Sequence, residues 1–153
     1  MEDTVLFFHL LGVLLFISGI VVAGIAFEAA RRRARAAEVA LLLGLTRSGV
    51  ALVGLGSVLL FACGLWLVGL EDIGYGTGWV TGAITLFVVS LALGGYGGQR
   101  PKQARTLATR LAEQGEETSP ELRALLDDPI SRAANYASAV LILAVLALMV
   151  FKP

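Results

Sequence analysis

Apolar and polar positions in this chain fall into long blocks. Four blocks hold almost no charge: Val5 to Phe27, with His9 as its only ionisable residue, Ser48 to Leu70, Ile73 to Gln99, and Ala133 to Phe151. Each approaches the ~20 residues that a helix needs to cross a hydrocarbon core. A backbone in lipid must satisfy its own hydrogen bonds, and these runs are too long and too continuously apolar for the short alternating strands of a β-barrel. The pattern predicts an all-α membrane protein, a four-transmembrane-helix bundle forming a single membrane domain over residues 1–153. The spans fall at about 4–27, 43–70, 77–99 and 130–152.

The one sizeable polar stretch, residues 100–128, has helical punctuation of its own. Pro101 suits a first helical position and Gly115 a C-terminal cap, with Ala104, Leu107, Ala108 and Leu111 on one face between them. Thr118 and Glu121 fit a capping box around Pro120, followed by an apolar stripe of Leu122, Leu125 and Leu126, and Asp128 before Pro129 caps the last span. The expectation is a short cytoplasmic amphipathic helical loop of two helices resting on the membrane face.

Charge supplies the orientation. Arg31, Arg32, Arg33 and Arg35 crowd the first loop, and Arg100, Lys102, Arg105, Arg110, Arg123 and Arg132 the stretch from 100 to 132, whereas the turn between spans two and three has only Glu71 and Asp72. Basic loops stay on the cytoplasmic side, which puts both termini outside a multi-pass membrane protein. Glu28 is placed to pair with Arg32 four residues on, and Arg47 to snorkel from the inner end of span two. Tyr75 and Trp79 sit at headgroup level beside the outer turn.

Composition narrows the functional classes. The chain is 57% hydrophobic and 16% charged, and its twelve Lys and Arg are balanced by twelve Asp and Glu. No net positive charge is available to hold nucleic acid, so the lipid bilayer is the first partner. One cysteine and one histidine exclude an intrachain disulfide and the Cys/His clusters of structural zinc. No catalytic residue set emerges.

Helices in lipid associate through small residues that let backbones approach. Span three offers Gly78, Gly82, Ser90, Gly94 and Gly98 at four-residue steps or their multiples, and span one offers Gly12 and Gly19 in the wheel sector that also holds His9, Phe16, Ala23 and Phe27. His9 is thus expected to face the bundle interior. The glycine face of span three could pack within the chain or form a homodimer.

An ionisable group inside a span is a functional candidate, and His9 is the foremost here. It is either a satisfied interior imidazole or a metal or haem ligand. With spans one and three running inward, His9, Cys63 and Met149 all fall in the outer leaflet, roughly 8, 10 and 5 Å below the surface at ~1.5 Å per residue. One imidazole and two soft sulfurs suit copper, and His with Met suits haem iron.

The run Phe8-His9-Leu10-Leu11-Gly12, the arginine-rich first loop, Gly64-Leu65 near the end of span two, and the closing Met149-Val150-Phe151-Lys152-Pro153 resemble predicted bacterial integral membrane proteins of the CopD-like grouping. That grouping includes copper-resistance membrane proteins and HemJ-type protoporphyrinogen oxidases. The resemblance implies a compact helical bundle in which the first-helix histidine, here His9, serves haem chemistry. Two readings follow: binding of b-type haem or copper through His9 near the outer face for electron transfer or sensing, or a non-catalytic accessory or scaffold subunit of a larger membrane complex.

Overall fold

A computed structural model describes residues 1–152; Pro153, the last residue of the closing motif, lies outside them. Six helices follow one another: α1 (Glu2–Arg31), α2 (Ala36–Leu70), α3 (Gly78–Gly97), α4 (Gln99–Glu113), α5 (Pro120–Leu126) and α6 (Pro129–Phe151). Four stretches are long and apolar enough to cross a membrane: Glu2–Arg31, Ala36–Leu70, Gly78–Glu113 and Pro120–Phe151. The chain is an all-helical, multi-pass membrane protein. Large apolar side chains such as Leu14, Ile25, Leu55, Val58, Val140 and Leu143 are exposed on the outer faces, where lipid can solvate them.

The helices pair as two antiparallel hairpins, α1 with α2 and α3 with α6. Midway along, a cluster of Phe16, Leu60, Ala83, Phe87 and Val145 joins them. Phe87 is central to it, stacking on Phe61 with ring centroids 5.8 Å apart and meeting Phe16 at 5.6 Å. At the end that carries the termini, Lys152 Nζ lies 3.8 Å from Glu71 and 5.6 Å from the centre of the Trp79 ring, so the C-terminal ends of α2 and α6 meet the start of α3.

The opposite, basic end is a small folded unit. Phe27, Ala30, Ala36, Val39, Leu43, Ala104, Ala108, Leu111, Leu122 and Leu126 form a second core. The stretch of α3 and α4 spans 36 residues, roughly 54 Å at 1.5 Å per residue, well over a ~30 Å hydrocarbon core. Helix α4 therefore runs on beside the first turns of α2 instead of lying flat on the membrane, and those turns, outside the expected span at 43–70, belong to this cap. Arg123 of α5 donates to the carbonyls of Arg31, at 3.0 Å, and Arg33, satisfying the end of α1. Arg31 bridges Glu28 at 3.0 Å and Asp127 at 2.8 Å, so the expected Glu28 pair forms with Arg31 and not Arg32.

The local signals shift in two places, by one residue and by two. The N-cap of α5 is Ser119, whose hydroxyl accepts from Leu122 N at 3.1 Å, because Pro120 takes the first helical position and leaves Thr118 outside. Gly115, at φ +76°, follows the last turn of α4 as expected for a left-handed stop. Pro101 stands third in α4 rather than first, since the helix restarts after a single residue, Gly98. Asp128 caps α6 as its sequence suggests, accepting from Ser131 N at 2.8 Å.

Candidate functional site in the first hairpin

The inward stripe of α1 is Val5, His9, Gly12, Phe16, Gly19, Ala23, Ala26 and Ala30, alternating four- and three-residue steps, the spacing at which one helix face tracks a partner. Against it α2 sets Gly49, Val53, Gly56, Leu60 and Gly64. The two backbones touch where glycines meet. A Cβ added at Gly12 would stand 2.5 Å from Leu60 N, one at Gly56 2.5 Å from Phe16 N, and one at Gly19 2.6 Å from the carbonyl oxygen of Gly49. None of these atoms can move aside, because each belongs to a helical backbone.

His9 sits one turn from Gly12 on the same stripe and is 9% exposed. Its Nδ1 lies 2.8 Å from the carbonyl oxygen of Leu60. A carbonyl can only accept, so Nδ1 donates, and in the tautomer that does so the lone pair is on Nε2. Gly64 makes the seat: a Cβ there would come 3.0 Å from Cε1 and 3.1 Å from Nδ1 of the ring. The sequence pattern placed His9 facing inward correctly. It did not single out Leu60 or Gly64 as its partners, although the glycine at 64 continues the stripe of Gly49, Gly56 and Leu60.

The other two sulfur and nitrogen candidates lie at the same end of the bundle. Cys63 is a free, half-buried thiol beside Gly64 on α2. Met149, three residues before the clamp at Lys152, packs on the cluster that contains the Leu60 side chain. Leu60 thus links them, with its carbonyl bonded to His9 and its side chain in the cluster beneath Met149. Among the described residues no group of three or more His, Cys, Asp or Glu side chains could hold a metal ion.

The second hairpin is built differently. Ser90 Oγ is 3.1 Å from the Ser138 carbonyl, and Ser138 Oγ donates to the Ser90 carbonyl at 2.9 Å. Ser131 Oγ and Asn135 Nδ2 donate to the carbonyl of Gly97 at 2.6 and 3.3 Å. The last pair has a cause four residues on, where Pro101 lacks the N–H that would have closed a helical bond to Gly97. The freed carbonyl is satisfied from the neighbouring helix, as buried backbone in lipid requires. Of the glycines expected on this face, Gly82 meets Leu148 and Gly94 meets Ser138. The other two make no such contact: a Cβ at Gly78 would meet nothing within 4 Å, and one at Gly98 only carbonyls of α3 itself. The tight approach falls instead on Gly97, where a Cβ would lie 2.5 Å from Asn135.

A family model for predicted integral membrane proteins matches residues 3–153, nearly the whole chain. The chain belongs to this family, DUF2269. The match agrees with the four apolar spans and extends through the cap, so the polar helices α4 and α5 are part of what defines the family's length. No curated protein and no solved structure matches the chain.

Proposed function

We propose that the protein binds b-type haem or copper through His9, near the membrane face where the termini emerge, for electron transfer or sensing. The hydrogen bond from Nδ1 to the Leu60 carbonyl supports this reading. Ligating histidines commonly donate the second ring nitrogen to a carbonyl or carboxylate, which fixes the tautomer and aims the other nitrogen at the metal. The Leu60 carbonyl favours the tautomer with its hydrogen on Nδ1 and Gly64 packs against that side of the ring, so Nε2 is the atom left to ligate.

The residue types at this end of the bundle are ones that such a group takes. Met149 and Cys63 lie at the same end, and imidazole with a soft sulfur suits Cu(I) or the axial positions of haem iron. A bound haem or copper would supply one-electron chemistry; the chain supplies a fixed imidazole in an apolar surround. The likeness of Phe8-His9-Leu10-Leu11-Gly12 to the first helix of the CopD-like grouping supports the same role. A second copy offering its own His9 across a two-fold axis is the other source of a ligand. The crowding of basic residues at the cap supports a cytoplasmic cap and outside termini in a bacterial inner membrane.

Protein produced with haem precursor and copper should show a Soret band or bound copper by elemental analysis, lost in His9→Ala and altered in Met149→Leu. A colourless, metal-free parent, or full occupancy in His9→Ala, overturns the ligand role. Support for the second reading, an accessory or scaffold subunit, comes from the cap, where the end of α1 with α2, α4 and α5 builds a core separate from that of the spans.

A further inference from the structure

The cap carries a groove that the hydrophobic core does not explain. The buried face of α4 is Pro101, Ala104, Ala108 and Leu111. Its opposite side, with Gln99, Gln103, Thr106 and Arg110 in line, walls a cavity of about 870 Å³ shared with α5. Arg100 and Lys102 join that wall, and Leu107 and Leu125 lie in its floor. A smaller cavity uses Gln99, Arg100, Gln103 and Asp128 again and adds Tyr96 and Ser131, so the groove continues toward the bilayer.

Folding sorts the charges that sequence alone leaves mixed. Six acidic residues lie between 113 and 128, yet only Glu121 and Asp128 line the groove. Asp127 is taken by Arg31, and Asp128 caps α6 while lying 4.0 Å from Arg100. The side chains of Lys102 and Arg110 have no ion pair or hydrogen bond among the described residues, and Arg100 is half exposed. With the Arg100–Asp128 pair set aside, the groove presents two unpaired cations, Lys102 and Arg110, and two amides against one carboxylate, Glu121.

The position selects the ligand. Tyr96, at the inner opening, is 55% exposed, and Ile130, beside Asp128, is 61% exposed. An aromatic ring and an apolar side chain at the edge of the lipid-facing band suit acyl chains, and the cations one turn farther suit phosphate. We propose that this groove binds the phosphate-bearing headgroup of an acidic phospholipid, with its acyl chains leaving past Tyr96 and Ile130 into the bilayer. Arg100 and Lys102 meet the phosphate, Gln99 and Gln103 its ester and hydroxyl oxygens, and Arg110 any further anionic group. This site lies in the cap, at the opposite end from His9, and stands apart from the ligand role proposed above.

The test is native mass spectrometry of the full chain in detergent with phosphatidate, phosphatidylglycerol or phosphatidylcholine added. The parent should retain either acidic lipid at least fivefold better than phosphatidylcholine. The combined R100Q, K102Q and R110Q variant should lose that preference, while R32Q, a basic change outside the groove, should keep it. Melting in phosphatidylcholine alone should match the parent, showing that the variant is folded. Equal retention of all three lipids by the parent, an unchanged preference in the folded triple variant, or loss of preference in R32Q overturns the site. A second arm titrates inorganic phosphate and glycerol 3-phosphate: weak or no displacement of lipid is expected. Full displacement at low millimolar concentration overturns the lipid assignment in favour of a soluble phosphate compound.

Discussion

The two hairpins solve one problem by opposite means. Between α1 and α2, contact is a matter of shape: Gly12, Gly19, Gly49 and Gly56 remove side chains until backbone meets backbone. Between α3 and α6, contact is a matter of hydrogen bonds, through Ser90, Ser131, Asn135 and Ser138. A shape-based seam has no slack, whereas a bonded seam can lose one bond and repack. Dispersion accumulates over many atom pairs and fails together when backbones are forced apart, but hydrogen bonds between membrane helices average only about 0.6 kcal/mol each.

The largest expected effect follows from forcing the first seam. Gly56→Leu should cost about 3 kcal/mol, the upper part of the range for overpacked cores, since its added carbon meets the Phe16 backbone. Thermal unfolding in detergent followed by circular dichroism measures it; a parent-like melting point would mean that the hairpins do not differ in this way. Gly97→Leu should cost less, about 2 kcal/mol, because the obstacle is the Asn135 side chain, which can rotate away. A loss larger than that of Gly56→Leu would reverse the comparison. Ser90→Ala should lower stability by about 0.6 kcal/mol, visible in a denaturant titration beside the parent. Gly24→Ala should be neutral or stabilising by up to about 1 kcal/mol, since a Cβ there meets nothing within 4 Å and alanine favours the helix. Destabilisation would show that a neighbour covers that face.

The same contrast explains what could be read in the sequence. The four spans, the inward face of α1 and the cap on α6 are local or periodic features, and hydrophobicity with helix geometry suffices for them. The glycine face of α3 was only partly legible. Four-residue steps advance about 400°, so each drifts about 40° around the helix. Starting from Ser90, Gly78 is then about 120° off, too far to share one contact, while Gly82 and Gly98 lie about 80° off on opposite sides, and only Gly82 meets a neighbour, the long side chain of Leu148. Alternating three- and four-residue steps cancel the drift, and Val80, Ala83, Phe87, Ser90, Gly94, Gly97, Pro101, Ala104, Ala108 and Leu111 follow them without interruption from α3 into α4. The bond between His9 and Leu60 was not legible, because a main-chain carbonyl has no sequence signature. The basic groove was hidden for a different reason: counting acids and bases along a loop does not say which acids the fold engages.

The proline at 101 also sets a condition on how the protein is made. When α3 and α4 leave the ribosome, the Gly97 carbonyl has no donor in its own helix, and the groups that satisfy it, on Ser131 and Asn135, are synthesised some thirty residues later. Until they arrive, that carbonyl needs a water or headgroup partner, and the expected consequence is that α3 settles to its final depth only with α6. A chain ending before Pro129 should hold α3 less firmly, with Gly97 substituted by cysteine more reactive to an aqueous thiol reagent than in the full chain. That result would tie the insertion of α3 to its packing against α6 through the absence of a single N–H.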